Sequence, residues 1–161
     1  MSETTVSPPP AHWQSTHLGH WLHSALLRFE RRVLALMAEH PGVPLGLSNL
    51  AAREQVGAAH IHITRHLPVH GARLTELAHS AGMSKQAMGA LVTQCEAWGM
   101  VRRENDPADA RARRIVFTAN GLAWLQAYQE AVLQTEAELC AATSKEVATV
   151  ISLGLEAYCA H

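Results

Sequence analysis

Residues 73–101 read RLTELAHSAGMSKQAMGALVTQCEAWGMV, and no other stretch of the chain restricts its fold as tightly. Two helical periods lie here, separated by a corner at Ala81–Gly82. Thr75 is placed to cap the first helix and Ser84 the second, because a short hydroxyl side chain accepts from the unpaired N–H groups of a first turn. In the second helix Met88, Leu91, Val92 and Cys95 share an inward face, while Gln86, Gly89, Ala90 and Thr93 lie on the other. Gly99 ends that helix. MVRRE and RRIVF then read as two short strands around the turn segment NDPADARA. A hairpin directly after two tightly joined helices predicts a winged helix-turn-helix.

The flanking sequence predicts helices. Leu18, Leu22, Ala25, Phe29, Val33 and Leu36 fall on one stripe of a helix that should end near His40, at the breakers HPGVP. Residues 41–58 form a Pro/Gly connection with a short helix around Leu47–Arg53. A helix over about Ala59–Leu67 turns Ile63 and Leu67 inward and ends at Pro68. Thr118 opens a long helix to about Leu139, and TSKE at Thr143–Glu146 has the form of a capping box for the last one. The expected class is therefore mainly α with a small β-hairpin. Residues 1–16 form a Pro/Ser/Thr-rich flexible tail, and 17–161 a single domain whose winged lobe covers 59–118.

With 48 % hydrophobic and 17 % charged residues, the chain is globular. Three widely spaced cysteines (Cys95, Cys140, Cys159) make no disulfide framework and fit a reducing compartment. The start, MSETTVSPPP, lacks the basic and apolar regions of a signal peptide, and no apolar run approaches the roughly 18 residues of a membrane span. A cytoplasmic protein with no membrane partner is expected.

The net charge of −1 argues against nucleic acid only until it is divided along the chain. Residues 1–64 balance, 65–114 carry eight basic against five acidic groups, and 115–161 one against five. The middle third is the basic one. The second helix of a helix-turn-helix places its N-terminal residues at base edges in the major groove. Ser84 and Lys85 suit phosphate, and Gln86 can pair bidentately with adenine. Gly89, Ala90 and Thr93 are small, allowing close approach but reading few bases. Arg102, Arg103, Arg111, Arg113 and Arg114 surround a turn stiffened by Pro107, and a basic hairpin tip fits an A·T-rich minor groove. Asp109, two residues before Arg111, is placed to hold that guanidinium through a charge-assisted pair. A solvated charged loop and an ordinary surface helix would account for either feature alone; at hairpin spacing the two together favour double-stranded DNA.

Residues 73–121 resemble the DNA-binding core of the MarR transcriptional regulators. The LTELA helix start, the MSK start of the recognition helix, the EAWGMV exit and the DPxDxRxRRIVFT wing all fall in family order, and the flanking helices extend the resemblance over roughly 17–160. It implies a homodimer joined through helices at 17–40 and 119–160, acting as a ligand-responsive repressor on a pseudo-palindromic operator. It also implies that Arg111 enters the minor groove, oriented by Asp109, with Arg103 and Arg113 among the DNA contacts. A small aromatic or anionic effector would enter between the dimerisation helices and the lobe. Gly89 and Ala90 stand where members often carry Thr and Arg, Trp98 replaces a common basic residue, and the 41–58 connection is longer than usual.

The histidines are the competing signal. AHIHITRHLPVH places His60, His62, His66 and His70 within residues 59–70. His62 and His66, four apart on a helix, could share a metal, but a site needs a third or fourth ligand, and no acid or cysteine lies between His60 and His70. His17, His20 and His23 turn away from the Leu18/Phe29 face. No metal and no cofactor are therefore assigned, and His62, His66 and Trp21 are taken as candidate effector contacts. With no HExxH and no nearby carboxylate base, the pattern is not that of an enzyme. Cys95 reads as an unreactive core thiol, and Trp124 and Tyr128 as packing. The alternative is a His-dependent metal or small-ligand sensor that uses the winged fold as scaffold.

Overall fold

The computed structural model describes residues 10–52, 56 and 58–160. Its elements are α1 (Trp13–Thr16), α2 (Leu18–Glu39), α3 (Leu45–Ala52), α4 (Ala58–His66), β1 (Ala72–Arg73), α5 (Leu74–Ser80), α6 (Lys85–Ala97), β2 (Val101–Asp106), β3 (Asp109–Phe117), α7 (Ala119–Ala142) and α8 (Lys145–Cys159). The fold is a mainly helical winged helix-turn-helix, as the pattern predicts. Its sheet has three strands in the order β1-β3-β2 rather than a bare hairpin. The extra strand is only two residues, Ala72 opposite Ile115 and Arg73 opposite Arg114, too short to leave an alternating pattern in the sequence. The tail expected over 1–16 is interrupted by the helical turn of α1; residues 1–9 lie outside those described.

Local chemistry fixes most boundaries. Ser84 Oγ accepts from the Ala87 N–H at 3.2 Å, and Thr118 Oγ1 from the Gly121 N–H at 3.1 Å. Gly82 and Gly99 take left-handed φ of 63° and 71°, a conformation that costs glycine little. At the end of α6 the Gly99 and Met100 N–H groups bond back to the carbonyls of Glu96 and Cys95, which closes the helix. Two caps differ from expectation. Thr75 lies inside α5, whose cap position is Arg73, with the Glu76 carboxylate accepting the Arg73 N–H at 2.9 Å. The last helix is capped by Ser144, whose Oγ accepts from the Val147 N–H at 3.2 Å, not by Thr143.

The core lies where the C-terminal half of α2, helices α3 to α6, the sheet and the first half of α7 meet. Trp124 is fully buried at its centre, and its indole N–H donates to Thr64 Oγ1 at 3.1 Å, tying α7 to α4 without leaving a buried donor unpaired. Ile63 and Leu67 point inward as predicted, together with Ile61. Met88, Val92 and Cys95 are buried on the inner face of α6, and Leu91 partly so. Burial pushes the Cys95 thiol up to about 12, the state of an inert filler.

The α2 stripe does not stay on one side of the molecule. Val33 is buried and Phe29 and Leu36 partly so, but Leu18 and Leu22 face outward with Trp21, Leu26 and Leu27. Met37, off the expected stripe, is completely buried. Helix α8 has no buried residue and exposes Val147, Val150, Ile151, Leu153, Leu155 and Tyr158. Among the described residues no helix is long and apolar enough to cross a membrane.

Gly121 is the tightest joint. It sits in the first turn of α7, where a Cβ would fall inside the Met100 carbonyl oxygen and within 3.0 Å of the Phe117 ring. The obstacle is backbone, already accepting the Thr118 N–H at 3.0 Å, so it cannot swing away. Gly121→Ala is therefore expected to destabilise the fold by about 3 kcal/mol, near the upper range for overpacking. Gly46→Ala on α3, where nothing lies within 4 Å of the new methyl, should gain up to about 1 kcal/mol from helix propensity. Urea unfolding of both variants checks the contrast; similar midpoints would show that the α7 start moves freely.

Candidate nucleic-acid interface

The turn between α5 and α6 is built by Gly82 and by the Met83 N–H donating to the Ala78 carbonyl at 2.9 Å. It delivers the capped start of α6 to the surface, where Ser84, Lys85, Gln86, Ala90 and Thr93 are all exposed. Gly89 is half-buried against Leu74, 3.6 Å from where its Cβ would stand. The exposed face of α6 thus offers two hydroxyls, one amine and one carboxamide along a surface of small residues. Such a face approaches a groove closely.

The wing is tighter than its sequence suggests. The expected long turn NDPADARA is a two-residue turn at Pro107–Ala108, closed by Asp106 Oδ1 accepting the Ala108 N–H at 2.9 Å. The register then jumps from Asp106 opposite Asp109 to Asn105 opposite Arg113, so among the described residues Arg111 and Ala112 have no partner on β2. Arg111 stands in that bulge.

Charge pairing separates the five wing arginines. Arg103 is folded back onto α6: its guanidinium pairs with Glu96 and donates to Thr93 Oγ1 at 3.1 Å, and its N–H donates to Glu96 Oε1 at 3.2 Å. Glu104 is held between Arg114 at 2.6 Å and Arg102 at 3.1 Å, and these pairs, Arg114 first, keep its carboxyl below the usual range. Arg111 and Arg113 are exposed, and among the described residues neither enters an ion pair. Asp109 departs from its expected role. Its Oδ1 accepts the backbone N–H of Arg111 at 3.0 Å, and its Oδ2 lies 3.7 Å from the Arg73 guanidinium, not against that of Arg111. The two-residue spacing brings the carboxylate to the peptide group before the longer side chain can reach it. Arg73 Nε also donates to Asp106 Oδ2 at 2.6 Å, and the Ala108 N–H and Arg73 lower that carboxyl's pKa. Arg73 carried no sequence signal, because its partner is 33 residues away.

The effector candidates do not converge. Trp21 is 59 % exposed on the outward half of α2 and meets His20 edge-on at 5.1 Å. His62 and His66 stack on α4 with ring centroids 5.9 Å apart, and His66 Nδ1 reaches Ser80 Oγ at 3.1 Å. Burial, then His62 and Arg65, hold the His66 pKa down. His60 lies against Trp98 at 4.5 Å, and burial lowers its pKa also. Among the described residues no three His, Cys, Asp or Glu side chains converge as a metal would require. A second polar link between the lobe and the outer helices, beside the Trp124–Thr64 bond, is Arg65, which has no distinguishing sequence context. It pairs with Glu30 of α2 at 3.2 Å and donates to the Tyr128 hydroxyl of α7 at 2.9 Å. Val33 and Ile61 complete this narrow crevice.

Residues 61–112 match the MarR family model. A search of curated proteins gave no match. Among solved structures, the transcriptional repressor CouR bound to a 23-mer DNA duplex is similar at TM-score 0.64 and 20 % identity, over 96 % of this chain and 100 % of that one. S. aureus MepR, in a mutant form, is similar at TM-score 0.62 and 14 % identity, over 89 % and 97 %. MarR from E. coli in its apo form is similar at 0.61 and 19 %, over 88 % and 96 %.

Proposed function

We infer that this chain, a winged helix-turn-helix regulator of the MarR family by its residues 61–112 and its fold, is a homodimeric, sequence-specific DNA-binding repressor. The observation that carries the reading is the state of the wing cations. Arg102, Arg103 and Arg114 are held by carboxylates, while Arg111 and Arg113 stand exposed beside an unpaired bulge. Phosphate and minor-groove contacts need cations of that kind. In this reading Ser84 and Lys85 hold phosphate, Gln86 reads a base, and Gly89, Ala90 and Thr93 let α6 sit deep in the major groove. Arg103 lies beneath α6 and steadies Thr93. The lobe of 59–118 reads DNA, and the helices of 17–40 and 119–160 pair two copies. A small anionic effector would act by taking Arg65 from Glu30, since that pair links α4 of the lobe to α2. The reading assigns the chain no reaction and places it in the cytoplasm.

The test is selection of bound duplexes from a random-sequence library by the untagged, full-length protein. Two half-sites about one helical turn, ~34–36 Å, apart are expected, since a two-fold protein reads a two-fold site. Recovery of duplexes with no enriched sequence would refute the reading, and stoichiometric zinc or nickel in the same preparation would favour the histidine sensor instead.

A further inference from the structure

We propose that Arg73 is the positioning residue of the wing, a clamp that sets the angle at which Arg111 is carried to DNA; this rests on the DNA-binding reading above. Arg73 stands where β1 passes into α5, and its own N–H is fixed by Glu76 at 2.9 Å. From the helix-turn-helix its guanidinium reaches both sides of the wing turn, to Asp106 at 2.6 Å and Asp109 at 3.7 Å. Each of those carboxylates directs its other oxygen to the wing backbone. Asp106 accepts from the Ala108 N–H at 2.9 Å, and Asp109 from the Arg111 N–H at 3.0 Å. One cation therefore connects the body of the lobe to the peptide group of Arg111.

The sheet makes the clamp necessary. Pairing of β1 stops at Arg73 opposite Arg114, so beyond that point the wing is a two-stranded ribbon with a break in register. Such a ribbon is marginal alone and free to twist. The guanidinium is partly exposed, so the pair adds little to global stability, and its effect falls on wing geometry.

A plain phosphate contact by Arg73 is the competing role, and the two roles predict opposite signs at Asp106. If Arg73 only touched phosphate, removing the Asp106 charge would strengthen DNA binding or leave it unchanged. If Arg73 clamps, Asp106→Asn weakens binding although the surface becomes less negative. The asparagine still accepts the Ala108 N–H, so the turn itself survives.

The experiment is fluorescence anisotropy of the full-length protein on one labelled duplex taken from the library selection. Arg73→Gln, Asp106→Asn, their double variant and Arg111→Ala are compared with wild type. Arg73→Gln and Asp106→Asn should each weaken binding on the order of threefold per subunit, about tenfold for a dimer engaging two wings. The double variant should be no weaker than Arg73→Gln. Amide hydrogen exchange should accelerate over residues 105–113 in both single variants and stay unchanged in α6. Wild-type or tighter binding by Asp106→Asn overturns the clamp, and that variant decides alone if Arg73→Gln does not fold. Wild-type affinity of Arg111→Ala instead shows that the wing does not touch DNA and removes the clamp's role in binding, whereas a selection that enriches no duplex removes the DNA-binding reading itself.

Discussion

Arg111→Ala is expected to weaken DNA binding by on the order of 1–3 kcal/mol per subunit, and by twice that for a dimer that inserts two wings. Lys145→Ala, at the start of α8, should bind as wild type does. The contrast follows from placement rather than charge, since each change removes one cation. Arg111 lies in the unpaired bulge beside the two-residue turn, exposed and without an ion pair among the described residues. It keeps its full positive potential for a narrow minor groove. The role of Asp109 refines the expectation. Its carboxylate holds the Arg111 backbone N–H, so Asp109→Ala should show a weaker copy of the Arg111 defect. Asp109→Asn, which still accepts that N–H but loses its charge toward Arg73, should show a smaller defect than Asp109→Ala. Lower salt should partly restore all the weakened variants, because the remaining phosphate contacts strengthen through counterion release. Anisotropy at two salt concentrations reads these effects, and equal affinities of Arg111→Ala and wild type at both would show that the wing does not touch DNA.

What the sequence revealed and what it hid divide by distance along the chain. Ser84 and Thr118 were legible as caps because a cap bonds to N–H groups within three residues of itself. Gly82 and Gly99 were legible as stops because only the local backbone decides a left-handed turn. The Arg73–Asp106 pair and the Arg65 junction were hidden, since nothing local distinguishes an arginine with a partner dozens of residues away from one without. The same blindness misplaced Asp109: its spacing from Arg111 was visible, but the competition between a peptide N–H and a guanidinium is decided by strand geometry. Thr75 and Thr143 show a smaller failure of the same kind. Two adjacent positions can each serve as a helix cap, and strand β1 in one case and the tight α7–α8 corner in the other choose between them. Periodicity showed that α2 has an apolar stripe, but not that half of it leaves the core.

That outward half supports the last expectation. Leu18 and Trp21 are 73 % and 59 % exposed, and α8 shows Val150 and Tyr158 at 70 % and 80 %. A helix of 15 residues is marginal in water by itself, and α8 packs mainly on α7 with no residue buried. Soluble monomers rarely carry apolar patches of this extent, so a second copy of the chain is the expected cover. Ile151→Glu would then bury an unpaired carboxylate between two copies, which costs several kcal/mol and favours separation. The variant should sediment near the 17.5 kDa of one chain at micromolar concentration, where wild type is expected to sediment as a dimer. A monomer engages only one half-site and loses the effective concentration that links the two. Its affinity for the full operator should fall about 10²–10⁴-fold, a loss on the scale of removing Arg111 from both wings. Leu45→Glu is the control: it places the same charge on a more exposed apolar residue, 75 % accessible at the start of α3 and on neither α2 nor α8. It should stay dimeric and bind normally. An Ile151→Glu protein that remained dimeric with full affinity would mean that α8 faces water, and the pairing of two wings across a two-fold axis would have to be built from α2 alone.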